Sequence, residues 1–498
     1  MHAHRMTSVV ARMNNDIKTI QVDVAVIGSG TAGLTAHKAA RLHGKRVLMM
    51  ESGPYGTTCA RVGCMPSKLL ISAAEAAHAV TAAPAFGVHP GPLRIDGQQV
   101  MARVRSERDR FVGFVLEGVD AIPDEEKLRG HARFIAPGKL QVDDHTIVEA
   151  ASVVIATGSS PIVPPEWKAA GERVITSDAV FGWTDLPRSL AVVGAGVIGL
   201  ELGQALARLG VRVTLFARGA KVAQLTDPLV LAEAGTVLAG EFDIRFQTSV
   251  AHIAKTDDGL GLLLTSRDGE GTEKTEQFEY VLAAIGRSPN VHGIGLETAQ
   301  IELDRHGVPL YDKHTMQCGK SAIFIAGDAS DELPLLPEAA DQGRIAGDNA
   351  ARFPEVQPGL RRTPLGVAFT EPQIATVGAT YQQLCVTHAG RFAVGAVSFG
   401  NQGRSRVMLQ NKGLLRVYAE FGSQRFLGAE MIAPRAEHLG HLLAWACQAQ
   451  LTVHAMLDMP FYHPVIEEGV RTALRELALH LQNDPGNVPA CADCTPGA

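Results

Sequence analysis

Cys59 and Cys64 are the residues of this chain best suited to redox chemistry. Gly63 stands between them, Pro66 follows, and residues 69–80 then form a helical-looking run. In a regular helix residues i and i+5 lie about 8 to 9 Å apart at Cα, whereas a disulfide needs a Cα separation under about 7 Å. A bridged pair would therefore exclude an undistorted helix from 59 to 64, and Gly63 and Pro66 are residues that can bend the chain there.

The cysteine content favours a functional pair over a structural framework. Seven cysteines, an odd number, are widely scattered, and the first twenty residues contain no apolar segment typical of a secretory signal. Disulfides in reducing compartments are mostly catalytic or redox-sensing. We interpret Cys59 and Cys64 as a redox switch in a cytoplasmic protein, with two inert thiols packed in a helix as the alternative.

Composition narrows the class of protein. The chain has 498 residues, 46% of them hydrophobic and 20% charged, and its formal net charge is −6. The length predicts about three domains, and the negative charge argues against a nucleic-acid surface. Since no run of 18 or more apolar residues occurs, we expect no membrane span and no membrane partner.

The cysteine segment resembles a family signature. It is similar to the redox site of the class I pyridine nucleotide-disulfide oxidoreductases, Gly-Gly-Thr-Cys-x-Asn-Val-Gly-Cys-x-Pro-Ser-Lys, and departs from it at Thr57 and Arg61. The resemblance implies that substrate attacks Cys59, that Cys64 lies against a flavin, and that Lys68 stands near the flavin's reactive nitrogen. It also predicts the fold class: two Rossmann-like α/β dinucleotide-binding domains plus a C-terminal α+β dimerisation domain.

The first nucleotide-binding unit begins with an apolar strand at 22–27. Three glycines follow, Gly28, Gly30 and Gly33, then an Ala-rich helix to about residue 42 and a second strand that ends at Glu51. This order predicts a pyrophosphate at the helix N-terminus and a carboxylate for the ribose hydroxyls. By resemblance the dinucleotide is FAD, with further contacts from four residues in shorter motifs: Ala132, Thr157, Gly158 and Asp328.

A second unit of the same kind starts with a strand at 190–193. Gly194, Gly196 and Gly199 open its helix, and a strand at 212–216 follows. Two such units imply two dinucleotides, and hydride transfer between a nicotinamide and a flavin is the economical explanation. Gly286 resembles the family's exit from the nicotinamide domain.

The ribose end of the second unit lacks the usual acid. Arg218 follows the strand, with Lys221 close behind; a cation there favours the 2′-phosphate of NADP, whereas most dihydrolipoyl dehydrogenases use NAD. A solvated surface pair is the alternative.

Glu201 resembles the family glutamate that pairs with Lys68, and an exposed helix acid is the alternative to that interpretation.

The C-terminal third carries the second catalytic motif. Residues 367–377 resemble the opening of the family's dimerisation domain, and His463, Pro464 and Glu468 match the family's His-Pro-Thr-x-x-Glu. The resemblance implies that His463 is the base, that Glu468 orients it, and that the imidazole reaches the disulfide of the other subunit. Pro464 suits a first helical turn, which predicts that His463 starts an amphipathic helix.

We predict six segments along the chain. They are an N-terminal extension (1–20), the first part of the FAD domain with the redox cysteines (21–165), the NAD(P) domain (166–288), the second part of the FAD domain (289–355), the dimerisation domain (356–480) and a tail (481–498).

We expect a homodimeric FAD enzyme that exchanges electrons between NAD(P) and a dithiol, most like a dihydrolipoyl dehydrogenase. The predicted substrate is a small-molecule or lipoyl-domain dithiol, and a 2-oxo acid dehydrogenase complex is the candidate partner. A mercuric or other metal-ion reductase using NADPH is one alternative, favoured by Cys491 and Cys494 and disfavoured by His463, where mercuric reductases generally have tyrosine. A flavoprotein that mainly docks on a larger assembly is another.

The tail cysteines themselves have four interpretations: inert thiols, half of a metal site, a second thiol shuttle or a metal-delivery pair.

Overall fold

The computed structural model of the protein describes residues 17–482 and divides the chain into two compact units. The first unit is made of Met1–Thr57, Phe114–Ser160 and Pro289–Arg361, and the second of Thr58–Gly113, Pro161–Ser288 and Arg362–Ala498. Cys491, Cys494, the predicted N-terminal extension up to residue 16 and the tail from residue 483 lie outside the described residues.

The first unit is built on a seven-stranded sheet. Lys18–Ile27 lies at its centre, parallel to Val47–Glu51 on one side and to Thr146–Ile155 on the other. The C-terminal half of this strand is buried, as its continuous apolar sequence predicts. The remaining strands are Lys127–Arg129, Ala132–Ala136, Lys139–Val142 and Ile323–Ile325.

Helices Thr31–Leu42 and Leu336–Arg352 pack together beside this sheet and share one apolar core with it. Three short 3₁₀ helices complete the first unit: Asp124–Glu126, Leu296–Thr298 and Gly327–Ser330.

The second unit contains a five-stranded parallel sheet. Its strands, in spatial order, are Asp243–Arg245, Arg212–Phe216, Ser189–Val193, Tyr280–Ala283 and Val174–Ile175. Helix Val197–Arg208 follows the central strand, and Pro228–Ala239 follows the next one along the chain. A separate antiparallel sheet joins Ser249–Lys255, Leu262–Arg267 and Glu273–Phe278. The short helix Pro165–Lys168 precedes the edge strand Val174–Ile175, and the short helix Ser177–Val180 follows it. Two short strands, Ser159–Pro161 and Arg287–Pro289, lie where the chain passes from one unit to the other.

The C-terminal part of the second unit is an antiparallel five-stranded sheet with helices. The strands, in spatial order, are Leu365–Ala368, Gln373–Gly378, Phe426–Ala433, Leu414–Glu420 and Phe392–Ser398. The helices are Tyr381–Thr387, Gly403–Val407, Ala436–Gln448, Val453–Leu457 and Glu468–Leu481. This α+β arrangement agrees with the predicted fold class.

The cysteine segment forms a broken helical run. Thr58–Val62 and Cys64–Ala82 are helical, the 3₁₀ helix Ala83–Phe86 follows, and Gly97–Asp120 is the next long helix. By length and composition alone, Thr58–Phe86 could cross a membrane, although it contains no run of 18 or more apolar residues. The run also contains Lys68, which is ion-paired, and Leu70, which is fully buried in the protein core. A core helix of a soluble protein passes the same test of length and composition.

The predicted position of His463 in a helix was wrong. The last helix begins at Glu468, and residues 463–467 form turns and bends before it. The carboxylate of Glu468 accepts the backbone N–H of Val465 at 3.2 Å, so the preceding segment folds back on the helix N-terminus instead of continuing the helix.

Candidate active site

The two cysteines lie on either side of a helix break, as the sequence predicts for a pair that can be bridged. Gly63 has φ −126° and ψ −116°, outside the helical region, and separates Thr58–Val62 from Cys64–Ala82. A Cβ at position 63 would lie 3.0 Å from the carbonyl oxygen of Thr58, which is closer than nearly all real contacts. Glycine therefore permits the tight approach that brings the thiols of Cys59 and Cys64 into a hydrogen bond.

The two thiols differ in acidity. The hydrogen bond from Cys59 and the positive charge of Lys68 lower the pKa of Cys64 to about 7. The same thiol–thiol hydrogen bond, followed by burial, raises the pKa of Cys59. In the dithiol form Cys64 is therefore the thiolate and Cys59 the thiol that donates to it, which matches the roles implied for them.

Lys68 forms the ion pair that the resemblance implies. Its Nζ lies 2.8 Å from Oε2 and 3.0 Å from Oε1 of Glu201. The Glu201 side chain is only 5% exposed, so the alternative of an exposed helix acid is wrong. Lys68 stands one turn after Cys64 on the same helix, and Glu201 stands on helix Val197–Arg208.

A loop between strands Leu365–Ala368 and Gln373–Gly378 closes over this ion pair. The backbone N–H of Phe369 donates to Oε1 of Glu201 at 2.9 Å, and the ring of Phe369 lies 4.5 Å from Nζ of Lys68. Gln204 exchanges two 2.8 Å hydrogen bonds with the backbone of Glu371. In the sequence, Phe369 belongs only to the segment 367–377 that resembles the start of a dimerisation domain, because no local pattern reveals a contact with residues 168 and more positions away.

His463 and Glu468, predicted to be the second catalytic pair, form a hydrogen bond. Nδ1 of His463 lies 3.0 Å from Oε1 of Glu468, and the imidazole side chain is 79% exposed. The hydrogen bond from His463 lowers the pKa of the Glu468 carboxyl. A carboxylate accepts only, so Nδ1 carries the proton and Nε2 is the nitrogen available as a base.

The glycines of the first unit fit a dinucleotide phosphate. A Cβ at Gly28 would lie 2.3 Å from the carbonyl oxygen of Ala156, and one at Gly33 would lie 1.9 Å from that of Gly28. Space around Gly30, the N-cap of Thr31–Leu42, is open, and that helix has neither a side-chain cap nor an acid in its first turn. Its positive end is therefore available to a pyrophosphate.

Glu51 stands at the end of its strand, as predicted. It accepts hydrogen bonds from the N–H and hydroxyl of Ser29, each at 2.8 Å, and from the N–H of Gly53 at 2.6 Å. A carboxylate offers about four acceptor positions, so room remains for a ribose hydroxyl.

The remaining predicted FAD residues also lie in the first unit. The buried Oγ1 of Thr157 finds no hydrogen-bond partner among the described residues, as expected of a group that binds a ligand. Gly158 follows it with a left-handed φ of 69°. Asp328 accepts from the hydroxyl of Ser159 at 2.7 Å, and Ala132 is buried in its strand. These residues fit FAD, and their individual contacts with it stay predictions.

The second strand–glycine–helix segment, which is predicted to bind the nicotinamide dinucleotide, repeats this geometry in the second compact unit. A Cβ at Gly194 would lie 2.3 Å from the carbonyl oxygen of Ala284, and one at Gly199 would lie 2.1 Å from that of Gly194. Gly196 caps helix Val197–Arg208, again without a side-chain cap or a first-turn acid. Gly286 has φ 137° and follows strand Tyr280–Ala283. The predicted site for a second dinucleotide therefore has the required backbone.

Family models match almost the whole described chain. The model for pyridine nucleotide-disulphide oxidoreductases matches residues 22–343, and the model for the dimerisation domain of the same family matches residues 365–474. The chain is a class I pyridine nucleotide-disulphide oxidoreductase. It is therefore an enzyme, and its cofactors are FAD and NAD(P).

Relatives of this oxidoreductase have different substrates. It is 29% identical over 472 residues to dihydrolipoyl dehydrogenase 3 of Pseudomonas aeruginosa. The aligned region covers 91% of this chain and 97% of that protein. It is 32% identical over 480 residues to a mercuric reductase of Streptomyces lividans, covering 94% and 98%. The crystal structure of LpdA from Mycobacterium tuberculosis superimposes with a TM-score of 0.77 at 27% identity, covering 92% of this chain and 100% of that one.

These comparisons confirm the predicted family, fold class and cofactors. They leave the individual site residues and the six domain boundaries as predictions. No group of three or more His, Cys, Asp and Glu side chains within residues 17–482 is arranged to hold a metal ion.

Proposed function

We propose that this FAD-dependent disulfide oxidoreductase is a homodimeric dihydrolipoyl dehydrogenase, which oxidises dihydrolipoyl groups with NAD(P)⁺. The observation that carries the proposal is the His463–Glu468 pair, since an exposed imidazole held by a carboxylate is suited to deprotonating a thiol. Relatives of both the dihydrolipoyl dehydrogenase and the mercuric reductase type support the chemistry, and the histidine favours the first.

His463 acts as the general base. Its Nδ1–H is held by Glu468, so Nε2 receives the proton of the substrate thiol, and the nearby carboxylate stabilises the imidazolium that results. Because the imidazole is exposed, it is available to a site formed with a second subunit.

Thiol–disulfide exchange then occurs at the cysteine pair. The substrate thiolate attacks Sγ of Cys59, a substrate–Cys59 bond forms, the Cys59–Cys64 bond breaks, and Cys64 leaves as a thiolate. The second substrate thiol, deprotonated in turn, displaces Cys59, so the substrate becomes a cyclic disulfide and the enzyme a dithiol. The lowered pKa of Cys64, about 7, makes it the better leaving group.

When bound, FAD supplies the acceptor that takes two electrons from this dithiol and returns them as hydride to the nicotinamide. Glu201 holds the ammonium group of Lys68 in place. The positive charge of Lys68 stabilises the thiolate of Cys64.

Anaerobic reduction of the flavin tests the assignment. Dihydrolipoamide, NADH and NADPH are added separately while the long-wavelength thiolate–flavin charge-transfer band is monitored. We expect dihydrolipoamide to produce the band and NAD⁺ or NADP⁺ to discharge it. A protein that only NADPH reduces would contradict the assignment and support the metal-ion reductase, which mercuric-ion-dependent NADPH oxidation would then confirm.

The proposed contribution of His463 across the subunit interface has its own test. Cys64→Ser and His463→Gln subunits are co-expressed with different tags, and the heterodimer is isolated. We expect each mutant homodimer to be inactive and the heterodimer to retain about half of the wild-type activity, because one of its two sites is intact. An inactive heterodimer would place both residues in one subunit's site.

We propose NADP as the preferred nicotinamide. Strand Arg212–Phe216 ends in a buried phenylalanine, and the exposed Arg218 follows it, where a guanidinium suits a 2′-phosphate. We expect Arg218→Ala to lower kcat/KM for NADP⁺ about tenfold or more and to change that for NAD⁺ little. Arg188→Ala is the control. Arg188 is also an exposed arginine (89%), but it stands just before strand Ser189–Val193, at the opposite end of the sheet from Arg218. A wild-type preference for NAD⁺ would reject this proposal.

A lipoyl domain of a 2-oxo acid dehydrogenase complex is the proposed partner, supported by the named relatives. A docking role without catalysis is disfavoured, because the family consists of enzymes. Co-purification with such a complex tests the partner, and cell fractionation tests the proposed cytoplasmic location.

A further inference from the structure

The ammonium group of Lys68 has three kinds of neighbour. Glu201 contributes both carboxylate oxygens, Ser67 contributes its hydroxyl at 3.3 Å, and Phe369 contributes the face of its ring at 4.5 Å from Nζ. The first two are polar partners. The aromatic ring is an additional neighbour that comes from the dimerisation domain.

Hydrogen bonds to its backbone hold the loop that carries this ring. The N–H of Phe369 donates to Oε1 of Glu201, and Gln204 on the same helix binds both the N–H and the carbonyl of Glu371. Three hydrogen bonds therefore fix the loop against helix Val197–Arg208. The ring itself is partly buried and packs against an apolar core cluster of the second unit.

We propose that Phe369 is a positioning residue that holds the Lys68 ammonium by a cation–π contact and so fixes the positive charge one turn from Cys64. Glu201 alone attracts the ammonium towards its own two oxygens. The ring belongs to a different element from Glu201, so it is a separate restraint on the lysine. Cation–π attraction of this kind persists where partial burial reduces competition from water, and the Lys68 side chain is 33% exposed.

The inference rests on the proposed function for its catalytic meaning, but its measurable consequence is the acidity of Cys64. The acidity of this thiol depends on the hydrogen bond from Cys59, on burial, and on two charged groups, Lys68 and Glu201. Lys68 favours the thiolate and Glu201 opposes it. If the ammonium is held less tightly, it stabilises the thiolate less, and a higher pH is needed to ionise Cys64.

Fluorinated phenylalanines test this contact without removing the side chain. Mono-, di- and trifluorophenylalanine are incorporated at position 369, which weakens the negative face of the ring in steps and keeps its shape nearly constant. The FAD-loaded protein is reduced with excess dithiothreitol, and the rate of iodoacetamide alkylation at Cys64 is followed against pH by peptide mass spectrometry.

We expect the apparent pKa of Cys64 to rise with each fluorine, by about half a unit in total, which is about a threefold loss of thiolate at low pH. A Cys64 profile that stays constant through the series, with the protein folded and FAD bound, would overturn the inference. A role for Phe369 in packing alone predicts that constant profile.

Two further variants support the interpretation. Phe369→Leu removes the ring and keeps the N–H to Glu201, so it should raise the pKa of Cys64 as far as the trifluoro variant does. Phe369→Tyr keeps an aromatic ring, so its Cys64 pKa should equal that of the wild type. Trifluorophenylalanine at the buried Phe399, in the core of the dimerisation domain, is the matched control and should leave Cys64 unchanged. An equal shift from position 399 would count against a specific contact.

The assay contains no dihydrolipoamide and no nicotinamide. If dihydrolipoamide is not the substrate, the pKa of Cys64 can still be measured. If the enzyme does turn over dihydrolipoamide but the fluorinated variants leave the pKa of Cys64 unchanged, only the positioning role of Phe369 is rejected.

Discussion

Nδ1 of His463 lies 3.0 Å from Oε1 and 3.1 Å from Oε2 of Glu468. The carboxylate stands in the first turn of helix Glu468–Leu481 and also accepts the N–H of Val465. It thus holds both the imidazole and the backbone that carries it. The orientation of the proposed base depends on this one acid.

Glu468→Gln should lower kcat/KM for dihydrolipoamide about 10- to 100-fold, because the amide is neutral and cannot stabilise the imidazolium. Stopped-flow reduction of the flavin by dihydrolipoamide measures the effect. Reduction by NADPH, which does not use His463, should be unchanged. The neighbouring Glu467→Gln is the control, and an equal loss in that variant would contradict a specific role for Glu468.

The charge-transfer band of the reduced enzyme should depend on pH with a midpoint near 7, the pKa of Cys64. The band needs the thiolate, so it should be present above the midpoint and disappear as the pH falls through it. Lys68→Met removes a charge that lowers this pKa, so its midpoint should move to higher pH. Anaerobic spectrophotometric titration measures both, and a midpoint that moves down would contradict the assigned effect of Lys68.

Thr57→Gly should stabilise the protein by roughly 0.5 to 1 kcal/mol. Thr57 has φ 54°, a left-handed conformation that costs a β-branched residue about 1 to 2 kcal/mol. Glycine removes this cost, but part of the gain is lost because glycine is more flexible in the unfolded chain. The relevant measurement is the urea midpoint of the FAD-loaded protein. Thr58→Gly, inside a helix, is the control and should destabilise the protein. A lower midpoint for Thr57→Gly would show that the threonine side chain outweighs the strain.

Arg416→Leu should destabilise the second unit by about 3 kcal/mol or more, because it leaves the carboxylate of Asp227 buried without its cation. Nη1 of Arg416 lies 2.7 Å from Oδ1 of Asp227, and the two side chains are 9% and 0% exposed. Arg425→Leu, which breaks the more exposed pair with Glu420, should cost under about 1 kcal/mol. Urea unfolding compares them, and equal losses would contradict the distinction by burial.

The local elements and the family could be predicted from the sequence. The two strand–glycine–helix units, the helix break at Gly63 and the alternating strands of the last domain depend on residues close together in the chain, whose backbone preferences act over short distances. The family models confirm these predictions at the level of fold, enzyme class and cofactors. The start of the last helix was misplaced, because a contact from Glu468 to Val465 outweighs the preference of Pro464 for a first turn.

The contacts between side chains far apart in the chain became visible in the folded protein. Lys68 and Glu201 are 133 positions apart, and the sequence analysis could pair them only by resemblance. Glu201 and Phe369 are 168 positions apart, and no periodicity or motif connects them. Such contacts depend on how helices and loops pack around a shared core, which the spacing of residues along the chain does not encode in a readable form.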